Sequence, residues 1–164
     1  MATTSAPTVP GTILRAGLTC GVMDITAAFV VYGGFFGIPP VRLLQGIAAG
    51  LMGARAALAG GFATAALGLC CHFTVAMGAA TVYVLASRWI RALVEHAVAA
   101  GVLYGILWYF FMQKVVVPLS AIRPSPFNLK LMLVGIVIHI FCVGLPISLT
   151  TASRRKHEAR VTSM

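Results

Sequence analysis

The chain has 164 residues, 60% of them apolar and only 9% charged, with a mean hydropathy of +0.98. A soluble domain carries about 25% charged residues, so twelve Lys and Arg with three Asp and Glu are too few to cover a water-facing surface, and so much apolar side chain excludes a disordered chain. The net charge of +9 would suit nucleic acid only if gathered on one soluble face. Here the basic residues are scattered between apolar runs, with one cluster at Arg154, Arg155, Lys156 and Arg160. That pattern describes a membrane flank, with the lipid bilayer and its anionic headgroups as the expected partner and no nucleic acid.

Crossing about 30 Å of hydrocarbon takes about 20 mostly apolar residues. Residues 1–12 are rich in Thr, Pro and Ala and are expected to be disordered; no cleavable signal pattern precedes Arg15. The first span is predicted at 13–36, interrupted by Arg15 and Asp24, and Pro39-Pro40 ends it. Residues 41–57 hold Arg42, Gln45 and Arg55 among small and apolar residues. They are too polar for a span and too apolar for a free loop, so an interfacial or re-entrant helix is expected. Further spans are predicted at 61–86, 97–119 and 129–150. The connection from Arg88 to His96 places Trp89 beside two arginines. A proline-stiffened turn from Ile122 to Asn128 leads to the fourth span, with Asn128 as its cap. Pro146 is expected to kink that helix, and 153–164 reads as a mobile, basic cytoplasmic tail.

The runs are continuously apolar, without the period-two alternation of barrel strands. The expected fold is therefore all-α: a polytopic membrane protein with four transmembrane helices in an up-down bundle, plus the interfacial or re-entrant helix. An even number of spans puts both ends on one side. That side holds Arg15, Arg88, Arg91, Arg154, Arg155, Lys156 and Arg160, against Arg42, Arg55, Arg123 and Lys130 opposite. The positive-inside rule then places both termini in the cytoplasm. Lys114 and Gln113, near the end of the third span, are placed to snorkel outward.

Gly17 with Gly21, and Gly101 with Gly105, form GxxxG pairs, and Gly46 with Gly50 repeats the spacing. Such pairs let helix backbones approach closely in lipid. Asp24, His72 and His139 fall near the middles of the first, second and fourth spans. A charged side chain there costs at least ~2.5–3.5 kcal/mol on insertion scales, so Asp24 is expected to face inward and pair. Histidine suits it, since imidazole exchanges a proton near neutrality. The expected cluster is Asp24, His72 and His139, with Tyr104 and Thr26 as further hydrogen-bond partners. Three uses compete: interhelical glue, a proton- or ion-coupled path, and a haem or metal site with His72, His139 and Cys142 as ligands. Cys20, Cys70, Cys71 and Cys142 lack CxxC spacing, so no zinc ribbon or disulfide framework is expected. No GxSxG, HExxH, P-loop or dinucleotide fingerprint occurs, and no enzyme chemistry is indicated.

The segments Gly21-Val-Met-Asp24-Ile, Leu69-Cys-Cys-His72-Phe, Leu103-Tyr-Gly and Ile138-His139-Ile-Phe give the chain a pattern that resembles small four-span inner-membrane proteins of bacteria. The resemblance covers about residues 15–152. It implies a four-span fold and a bacterial inner membrane, and it brings no activity and no site. The expected function is that of a non-enzymatic scaffold or partner subunit, or of a proton- or solute-conducting protein. A second copy or another membrane protein is a candidate partner; the alternative is a haem- or metal-binding redox subunit.

Overall fold

The structure, a computed structural model, describes residues 8–122 and 127–162. Every regular element among them is helical. Four helices are long and apolar enough to cross a membrane: Val9–Phe36, Gly61–Ala86, Ala97–Leu119 and Leu129–Val161. They are referred to below as the first to fourth spans. Large apolar side chains such as Val30, Phe62, Leu103 and Phe141 stand exposed on all four, an arrangement that lipid favours and water does not.

The first span begins earlier than its apolar run. Thr8 caps it, its hydroxyl accepting from the Gly11 amide at 3.2 Å. Pro10 sits in the first turn, where a missing N–H costs nothing. Helix therefore replaces the last four residues of the expected disordered lead; residues 1–7 lie outside the described residues. At the other end the chain leaves the helix through Gly37 at φ 64, a left-handed conformation that glycine adopts without strain.

The segment before the second span is two helices rather than one. Pro40–Met52 and Ala54–Ala59 are separated by Gly53 at φ 83. The longer helix lies against the second span, where the Gly68 backbone meets the Leu44 carbonyl and the Ala48 amide with no room for a side chain between. The Ala121 amide donates to the Gly50 carbonyl at 2.7 Å, which ties this helix to the end of the third span.

Pro118 and Pro146 do not act through simple kinks. Each follows a stretch of wider π-helix, Met112–Val116 and His139–Gly144. A proline removes one amide donor and crowds the preceding turn, and a π-bulge absorbs both effects by shifting the hydrogen bonds one residue on. Asn128 caps the fourth span, Oδ1 accepting from the Leu131 amide at 3.2 Å. Of the proline turn before it, residues 123–126, including Arg123, Pro124 and Pro126, lie outside the described residues. The fourth span continues as helix to Thr162, so the basic end is ordered where an irregular tail was expected. Its 33 residues extend roughly 50 Å at 1.5 Å per residue, well beyond the hydrocarbon thickness.

The interior is built from small residues. Ala16 and Cys20 of the first span meet Ala76, Ala79, Ala80 and Tyr83 of the second and Val143 and Ile147 of the fourth. A side chain at Gly17 would strike Met77, and one at Gly21 would strike Phe73. Between the third and fourth spans the contact is backbone to backbone: Gly101 and Gly105 face Gly144 directly. Gly46, in contrast, has nothing near it, and Gly50 touches only Ser120.

Candidate functional site

Asp24 belongs to the inward stripe of the first span, one turn beyond Gly21 and Cys20. Because Gly21 lets the second span approach, His72 reaches across to it. The His72 ring makes two contacts. Nε2 lies 2.9 Å from the Gly21 carbonyl oxygen, and Nδ1 lies 4.0 Å from Asp24 Oδ2. A carbonyl only accepts, so Nε2 is the donating nitrogen. Nδ1 then faces a carboxyl group, and the contact is attractive when the pair holds one proton between them, as imidazolium with carboxylate or as imidazole with carboxylic acid. Both side chains are mostly shielded, with 12% of His72 and 20% of Asp24 exposed. The Phe73 ring packs edge-on against His72 at 5.5 Å, adding an apolar wall.

The other members of the expected cluster bond elsewhere. His139 Nδ1 donates to the Gly135 carbonyl of its own helix at 2.8 Å, and its ring stands edge-to-face on Tyr109 at 5.4 Å. The Tyr104 hydroxyl donates to the Ala79 carbonyl at 2.7 Å, joining the third span to the second. Thr26 is exposed. The structure thus brings together Asp24 and His72, and places His139 and Tyr104 in separate interhelical contacts. Among the described residues no three of His, Cys, Asp and Glu stand close enough to hold a metal ion. Of the residues considered as haem or metal ligands, His72 and His139 each place one ring nitrogen on a backbone carbonyl. Cys142 is half-buried, with its thiol free. Lys114 and Gln113 are exposed near the end of the third span.

Several functional contacts carry no sequence signal of their own. The Tyr83 hydroxyl donates to the Leu93 carbonyl at 2.9 Å, fastening the connection after the second span. Tyr83, Tyr104, Trp108 and Phe111 form a ladder of rings with centroids 4.9, 5.8 and 5.1 Å apart. Their i, i+4 and i, i+3 spacing along the third span was the available clue. Gln45 is 3% exposed; its Nε2 donates to the Gly61 carbonyl at 3.0 Å, while Oε1 has no hydrogen-bond partner among the described residues.

Comparison with protein-family models, with curated proteins and with solved structures found no match to this chain.

Proposed function

We propose that this chain is a non-enzymatic protein of a bacterial inner membrane that serves as a small scaffold or partner subunit. In this reading its four spans form an up-down bundle, Pro40–Met52 lies at the outer interface, and both termini are cytoplasmic. The observation that carries it is the use made of polar side chains inside the spans. His72 meets Gly21 and Asp24, Tyr104 meets Ala79, and His139 meets Gly135. Each joins helix to helix or helix to itself, which is what interhelical adhesion in lipid requires. The excess of Arg and Lys at the end that carries both termini supports the orientation, and the resemblance to bacterial four-span proteins supports the inner membrane. The exposed Arg42 and Arg55, set among apolar neighbours, support an interfacial position for the segment between the first two spans.

A second reading rests on one specific observation: Asp24 and His72 face each other as a one-proton pair with 20% of the Asp24 side chain accessible. A proton-coupled role would use that pair as a relay.

The scaffold reading expects Asp24→Asn and His72→Ala each to lower the thermal unfolding midpoint in detergent by roughly 2–4 °C, the shift that about 1 kcal/mol produces in a chain of this size. Thr74→Ala is the control, since that hydroxyl bonds only the Cys70 carbonyl of its own helix. Midpoints unchanged in the first two variants would count against the pair as a structural contact.

A further inference from the structure

At the end of the second span the chain turns back sharply, and the ordered end of the fourth span passes beside the turn. Between them lies a cavity of about 570 Å³. Its charged lining is Arg91 and Glu95 from the connection, and Arg155, Lys156 and Glu158 from the fourth helix, with Val94 as an apolar wall. The size suits a small-molecule group.

The walls are fixed. The Tyr83 hydroxyl, on a ring only 2% exposed, holds the connection through the Leu93 carbonyl at 2.9 Å. Arg155 is held by Glu158 at 3.1 Å. Arg91 and Lys156 form no ion pair with any described residue, so two cations face the cavity without a carboxylate of their own. Its depth is marked by the residues next in sequence to its mouth. Ser87 ends the second span, and Trp89 and Ile90, 79% and 52% exposed, follow at once. An exposed indole beside arginines at a helix end belongs at the headgroup layer.

We infer that this cavity is a binding site for a phosphate group, that of an anionic phospholipid whose chains lie past Trp89 and Ile90. Arg91 presents a planar guanidinium suited to two phosphate oxygens, and Lys156 adds a compact ammonium from the opposite wall. Glu95, at the rim, opposes the anion and sets the site against a second negative charge. The inference rests on the membrane-spanning reading, but not on the role given to Asp24 and His72.

The test uses the full chain purified in a mild non-ionic detergent. Native mass spectrometry reads bound phosphatidylglycerol against phosphatidylcholine. The wild-type chain is expected to retain phosphatidylglycerol preferentially. Arg91→Gln and Lys156→Gln are expected to reduce that retention about fivefold each, the weight of one basic residue near an anionic lipid. Arg42→Gln and Lys130→Gln, at the opposite ends of the spans, should leave it unchanged. Glu95→Gln should increase retention, an effect that a merely structural role for the connection would not produce. Inorganic phosphate at millimolar concentration distinguishes the source: displacement of the lipid would assign the site to free phosphate, and persistence of the lipid would assign it to the headgroup. Equal loss in all four cation variants, or no preference over phosphatidylcholine, would overturn the inference. A chain that stays monodisperse without detergent would instead overturn the membrane reading itself.

Discussion

A single aspartate among 28 residues of the first span is the residue on which most of the internal arrangement turns. Depth arithmetic alone brings Asp24, His72 and His139 to a similar level, because each lies ten to fifteen residues into its helix and the rise is about 1.5 Å per residue. It cannot give the rotation of each helix about its own axis. Rotation is decided by the glycines: Gly21 admits the second span, and His72 comes with it, whereas the contact of Gly105 with the His139 backbone turns that ring towards Tyr109. The pairing of Asp24 with His72 was thus legible as a chemical need, and the exclusion of His139 was not. A double-mutant cycle of Asp24→Asn and His72→Ala, read by unfolding in mixed detergent micelles, should give a coupling of about 1 kcal/mol, the scale of interhelical hydrogen bonds in membranes. Strict additivity of the two changes would mean that the 4.0 Å contact contributes nothing.

At the scale of elements, the four spans follow from apolar length, and their number and approximate bounds could be read directly. The ends could be read less well, because capping by Thr8 and the polar helix beyond Ser153 depend on backbone satisfaction rather than on hydropathy. Glycine spacing was an equally partial guide. Gly101 and Gly105 meet the fourth span, but their counterpart Gly144 has no partner four residues away in its own helix, and neither does Gly68. Their role arises from the facing backbone, which a pattern within one helix does not encode. Two substitutions separate contact from coincidence. Gly144→Ala would push a methyl into the Gly101 carbonyl, and it should destabilise the fold by several kcal/mol, towards the upper range of overpacked sites. Gly46→Ala adds a methyl to open space and should be neutral or stabilising by up to about 1 kcal/mol, the helix preference of Ala over Gly. Thermal unfolding in detergent reads both. Equal effects would mean that the third and fourth helices do not touch through their backbones.

The whole molecule is a set of apolar helices with basic residues concentrated at one end. The Arg and Lys distribution could be counted without coordinates. What could not be foreseen was that the basic end of the fourth helix stays ordered and forms one wall of a cavity. The proposed orientation places that wall in the cytoplasm. A membrane-impermeant maleimide should then reach Ser153→Cys only after cells are opened, while labelling of intact spheroplasts would reverse the topology. If interior polar groups serve adhesion, the protein adds no route for protons. The most direct measurement is acidification of proteoliposomes under an imposed pH gradient, with wild type, Asp24→Asn and His72→Ala at equal protein density. Proton flux equal to that of protein-free vesicles in all three is the predicted result. Flux carried by the wild type and abolished in both variants would contradict the scaffold account and establish the pair as a relay.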